Sequence, residues 1–96
     1  MHQSLDEILK LDQLKLPPYP QVDEIQWYPF TDSVGDPAYR VTVILRDDTP
    51  AEHRERNLTR AVETRIREAL REAGVQEFPY IRTLTRADLK WAEDNR

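Results

Sequence analysis

The chain has no cysteine among its 96 residues. That absence excludes disulfides, thiolate zinc sites, iron–sulfur clusters and cysteine nucleophiles, and with them thiol redox chemistry. Glycine occurs only as Gly35 and Gly74. A phosphate-cradling loop needs several glycines close together, and Val34-Gly35-Asp36-Pro37 supplies one. Histidine is limited to His2 and His53 and serine to Ser4 and Ser33. A serine–histidine–carboxylate triad would have to recruit residues that already fit local capping and turn positions. Long apolar runs are missing too. Asp6, Glu7, Lys10, Asp12 and Lys15 interrupt the Leu-rich start too often for a signal-peptide core or a membrane span, so the expected compartment is the cytoplasm.

Positive charge is in deficit, with 14 Lys and Arg against 18 Asp and Glu, a formal net charge of −4. This balance opposes general affinity for phosphate backbones and disfavours duplex DNA as a partner. The length fits one domain, 1–96. At this size only roughly 60 to 65% of the unfolded surface is buried, too little for a large internal active-site cavity.

Residues 1–16 read as a helix. Ser4 and Glu7 have capping-box spacing, and Leu5, Ile8, Leu9, Leu11 and Leu14 follow at mostly helical intervals. Pro17, Pro18 and Pro20 make 17–21 a semi-rigid connector, so this helix is separable. Alternation of Ile25 and Trp27 with polar neighbours marks a strand that Pro29 ends. Residues 30–37 are dense in turn formers and read as a hairpin loop. Tyr39, Val41, Val43 and Leu45 alternate in a second strand, the clearest in the chain. Thr49-Pro50-Ala51-Glu52 reads as a helix N-terminus. Leu58, Val62, Ile66, Ala69, Leu70 and Ala73 form the apolar stripe of a long helix that Gly74 stops. Residues 78–83 read as a third strand, which Pro79 restricts to an edge or to a late start. Thr85 caps a short closing helix.

The expected fold is therefore α+β, a two-layer sandwich in the order α-β-β-α-β-α. A three-stranded sheet with a β-hairpin over 22–46 packs on a long amphipathic helix over 50–73. The order resembles that of type II KH domains and the BolA-like fold. The KH signature needs a GxxG loop, which two isolated glycines do not make, so the resemblance concerns topology and implies no function.

Three features bear on function. Asp23, Glu24, Asp47 and Asp48 gather at one end of the expected hairpin with His53 beyond. Asp47, Asp48 and His53 are thus candidate ligands for a hard cation in a metal-dependent enzyme, against the plainer reading that they are solvated or face a helix N-terminus. Arg56, Arg60, Arg67 and Arg71 form a stripe on the long helix, interleaved with Glu63 and flanked by Glu68 and Glu72, the pattern of a solvated face. Lastly, strand alternation turns Tyr28, Arg40, Ile44, Tyr80 and Arg82 away from the long helix, with Trp27 and Tyr39 supporting them from the core side. Tyr, Arg and Ile on an open sheet have the composition of a protein interface, so the leading expectation is a non-catalytic interaction or accessory module, self-associating or bound to another protein, without cofactor. The alternative is a single-stranded RNA platform using the same tyrosines and arginines, which the net charge opposes. The bland alternative is that the first helix folds over this face.

Overall fold

A computed structural model describes residues 5–95. The elements are α1 (Leu5–Ile8), α2 (Leu11–Leu14), β1 (Val22–Thr31), β2 (Pro37–Leu45), α3 (Arg56–Glu72), β3 (Phe78–Thr85) and α4 (Arg86–Asp94), with a 3-10 turn at Ala51–Arg54 before α3. The sheet order is β1-β2-β3, so β2 is central, with a proline only at its first residue, and β1 and β3, which carry Pro29 and Pro79 within them, are the edges. β1 and β2 pair antiparallel as a hairpin, and β3 pairs parallel to β2 after the α3 crossover. The expected α+β sandwich is the fold observed.

One face of the sheet carries the core. Val41, Val43 and Leu45 are buried against Val62, Ile66, Ala69 and Leu70 of α3, with Ile25, Trp27, Tyr39 and Ile81 packed around them. Fully burying each such aliphatic chain contributes about 1.5 to 3 kcal/mol, so this seam holds the two layers together. α3 ends in a Schellman motif: Gly74 takes φ +82°, its amide donates to Arg71 O at 3.0 Å, and the Val75 amide donates to Leu70 O at 3.0 Å.

The long helix begins later than the Thr49-Pro50 signal implies. Thr49 Oγ1 donates to Arg46 O and closes the turn after β2, while Glu55 is extended at ψ 146°. The capping hydroxyl is thereby used by the strand end, and only a 3-10 turn fits between it and α3.

The N-terminal segment also departs from expectation. The helix read over 1–16 is two short helices, broken at Lys10, which is extended at ψ 130°. Ser4, read as its cap, lies outside the described residues. Leu5, Ile8, Leu9 and Leu14 join the core cluster on the α3 side of the sheet, and Arg65 Nε of α3 donates to Leu14 O at 2.7 Å. Trp27 Nε1 adds a bond to Asp6 Oδ1 at 2.7 Å. The segment extends the helical layer and leaves the opposite face of the sheet alone.

Candidate functional surface

The face away from α3 is built in cross-strand rows. Phe30, Ala38 and Phe78 stand side by side, then Tyr28, Arg40 and Tyr80, then Gln26, Thr42 and Arg82, then Glu24, Ile44 and Leu84. Side chains alternate along each strand, so these twelve share one side.

The last row is closed by α4. Asp88 N donates to Thr85 Oγ1 at 3.2 Å, the cap expected from the sequence, and Asp47 Oδ1 accepts from Ala87 N at 2.8 Å. Asp23 and Glu24 both hold Arg86, at 2.8 and 3.1 Å. Those two carboxylates push the Arg86 guanidinium above its ordinary value. Leu89 is the buried residue of α4, and Ile44 is 0% exposed. Ile44 therefore does not belong to an open interface: alternation turns it outward correctly, but α4 folds over it and makes it a second small core.

The hairpin end stays open. Ala38 is so small that flanking rings cover it, leaving it 1% exposed. The rings then meet across the central strand. Phe30 and Tyr80 have centroids 5.4 Å apart, Phe78 and Tyr80 4.7 Å, and Tyr28 and Phe30 6.4 Å, all near edge-to-face. Tyr28 is 52%, Phe78 56% and Tyr80 38% exposed. The Arg40 guanidinium lies 5.0 Å from the Phe30 ring centre, a cation–π arrangement, and its Nε is buried without an acceptor. Arg82 Nε donates to Thr42 Oγ1 at 3.0 Å. Among the described residues neither Arg40 nor Arg82 forms an ion pair.

Phe30 and Phe78 complete this band and are absent from the sequence-based set of Tyr28, Arg40, Ile44, Tyr80 and Arg82. Phe30 reads as loop because Pro29 reads as a strand end; yet β1 runs to Thr31, an edge strand tolerating the missing amide. Phe78 was legible, since it shares the parity of Tyr80 and Arg82. Trp27 and Tyr39 lie on the α3 side as expected, in edge contact at 5.7 Å.

The band ends at an acidic rim. The reversal spans Asp32 to Asp36: Asp32 Oδ1 accepts from the amides of Val34 and Asp36 at 3.1 and 2.9 Å, and Gly35 takes φ +88°. The other Asp32 oxygen accepts from Tyr80 Oη at 3.2 Å. These donors, the Asp36 amide first among them, hold the Asp32 carboxyl below its ordinary value against some desolvation. Tyr80 is pushed up, chiefly by desolvation and then by Asp32. Asp32, Asp36, Pro37, Gln76, Glu77 and Phe78 surround an open depression of about 350 Å³.

The candidate metal residues do not converge. Asp47 caps α4, Asp48 makes a two-pronged bond to Arg46 at 3.1 Å, and His53 stacks on Tyr19 with ring centroids 4.3 Å apart. No group of three or more His, Asp or Glu placed to hold a metal occurs among the described residues. Tyr19 and His53 line a separate cleft of about 230 Å³ with Gln21 and Arg46. On α3, Arg67 meets Glu63 at 3.9 Å within the expected arginine stripe, while Arg65, outside that stripe and half-buried, meets Glu68 and Glu72 at 3.5 and 3.7 Å.

Compared with protein-family models, curated proteins and solved structures, the chain matches none. No helix among the described residues is long and apolar enough to cross a membrane.

Proposed function

We propose that the chain is a small, non-catalytic protein-docking module that works through the hairpin end of its open sheet face. The observation that carries this reading is the continuous band of Tyr28, Phe30, Tyr80 and Phe78 with Arg40 laid on it. Scattered exposed apolar side chains are ordinary on a small protein, but contiguous rings are not. Aromatic residues and arginine recur at interface centres because they bury much area while keeping a polar contact.

The alternative, a single-stranded RNA platform, is supported less well by the same geometry. Base stacking needs free ring faces, whereas these rings cover one another edge to face and Arg40 occupies a face of Phe30. The carboxylates of Asp32, Asp36 and Glu77 rim the band and repel phosphate.

Placing a photoreactive phenylalanine analogue at Phe78 in the full chain, in cells, tests the reading, with the analogue at Arg71 on α3 as control. The expected result is crosslinking to protein from position 78 and none from position 71. Adducts with nucleic acid alone, equal labelling from both positions, or no adduct from position 78 would each overturn it.

A further inference from the structure

We propose that the occupant of this face is a second copy of the chain, docked face to face about a two-fold axis that runs across the strands between the Ala38 and Arg40 rows. The inference rests on the docking role of the face and names its partner. Its basis is the distribution of charge. The hairpin end is acidic, with Asp32, Asp36 and Glu77 around the depression of about 350 Å³. One and two rows inward stand Arg40 and Arg82, the cations of this face without a carboxylate partner among the described residues. At the far end of the sheet Arg86 is already held by Asp23 and Glu24, and Arg46 by Asp48. The face is thus acidic at one end and basic in its middle.

Such a surface complements itself when the strands of the two copies run in opposite directions. Rows on one strand face recur about every 6.8 Å. An axis between the Ala38 and Arg40 rows sets Arg40 above the partner's Ala38 and Phe30, and Arg82 above the partner's Asp36 and Glu77. Ring then meets ring in the middle, and the guanidinium of Arg82, whose Nη nitrogens have no partner among the described residues, reaches the acidic depression. An axis along the strands instead sets Arg40 against Arg40 and acidic end against acidic end, which like-charge repulsion opposes. An isologous two-fold contact also presents each complementary pair twice.

Shape selects the same arrangement. α4 stands over the Ile44 row and forms a ledge, so two sheets cannot overlie along their full length. Sliding each copy toward the other's hairpin end clears both ledges and keeps the aromatic rows in contact at the roughly 10 Å spacing of stacked sheets. The orphaned Nε of Arg40 lies inside the area so covered.

The test is sedimentation equilibrium of the full chain from micromolar to millimolar concentration. The expected result is a concentration-dependent species of twice the chain mass. Arg82→Glu and Asp36→Arg should each weaken association by about tenfold or more. The double variant Arg82→Glu/Asp36→Arg should recover most of it, because the pair is exchanged with its geometry kept. Asp36→Arg should melt as the wild type does at low concentration, since the position is exposed, and the two variants that carry Arg82→Glu should stay folded but melt somewhat lower, having lost the bond from Arg82 Nε to Thr42 Oγ1. A wild type that stays monomeric throughout, single variants that associate normally, or a double variant no better than the singles would each overturn the proposal. Monomeric behaviour together with photocrosslinks from position 78 to a different protein removes the second copy while the docking role stands. Monomeric behaviour with no protein crosslink removes both.

Discussion

Arg65, in the middle of α3, donates from Nε to the carbonyl of Leu14 at 2.7 Å, so a cation of the long helix closes the C-terminal end of α2. Lys15, the residue that follows, is left-handed at φ 52°, and helix carbonyls there have lost their intrahelical donors. Arg65→Ala should destabilise the chain by about 1.5 to 3 kcal/mol, the range for hydrogen bonds to charged groups. Hydrogen exchange should localise the loss to residues 5–16, with the β2 amides still protected at low denaturant.

The Arg40 side chain contributes through its contact with the Phe30 ring and not through Nε, which has no acceptor. Arg40→Met retains cover over the ring and removes the orphaned donor. The monomer should lose no more than about 0.5 kcal/mol and can gain, because an unsatisfied buried donor costs more than it returns. Chemical denaturation at low protein concentration measures this, and a loss well beyond that figure would show that Nε finds a partner in solution.

The Tyr80 hydroxyl is one of several donors that keep Asp32 ionised. Tyr80→Phe should move the Asp32 titration upward, toward the ordinary carboxylate value of 3.8, while the Asp36 and Val34 amides hold part of the depression. Because the folded value lies below the unfolded one, Asp32 adds stability above about pH 4 and loses it as pH falls through its lowered value. Tyr80 has the opposite sign. Its folded value is raised above 10.0, so its contribution is intact below pH 10 and is lost as pH rises past the raised value. Carboxyl-carbon NMR titration of wild type and variant reads the first shift directly.

Leu89 closes α4 over the Ile44 row. Leu89→Ala should cost about 2 to 3 kcal/mol, the lower part of the range for such truncations, because the site is at the edge of the molecule and can partly collapse. In a chain of this length that corresponds to a fall of roughly 8 to 24 °C in melting midpoint. The variant should also expose Ile44 and bind a hydrophobic dye more strongly than the wild type.

Gly74 holds φ +82° in the Schellman turn that releases the chain from α3 into β3. Gly74→Ala should cost about 1 kcal/mol, the penalty of placing a Cβ in left-handed backbone, without altering the fold. An unchanged urea midpoint would show that the turn relaxes to another conformation.

Where local rules act alone, the sequence was readable. Strict alternation over Tyr39 to Leu45 specifies β2 and its two faces, Gly74 specifies the end of α3, and Thr85 specifies the start of α4. It was misread where two local rules compete for one residue. Thr49 is a good cap and also a good turn closer, and its hydroxyl goes to Arg46, which delays α3. Pro29 is a strand breaker except at an edge, and the edge position of β1 is decided by β3 choosing the other side of β2. That choice brings Phe30 into the band. Ile44 illustrates a third limit: alternation gives the side of the sheet on which a residue stands, but not which distant helix covers that side. At the acidic end the sequence offers candidate cation ligands beside the plainer reading of solvated or helix-capping carboxylates, and only tertiary structure gives Arg86 to Asp23 and Glu24 and the α4 amide to Asp47.

The route of the chain through the sheet sets which pairings its surface depends on. Tyr28 and Phe30 belong to the hairpin, whose strands are neighbours in sequence, whereas Phe78 and Tyr80 join them only through the pairing of β3 with β2 across the α3 crossover. The hairpin by itself carries half the rings and none of the wall that Gln76 and Glu77 supply to the acidic depression. The full band of four rings therefore exists only in the finished sheet.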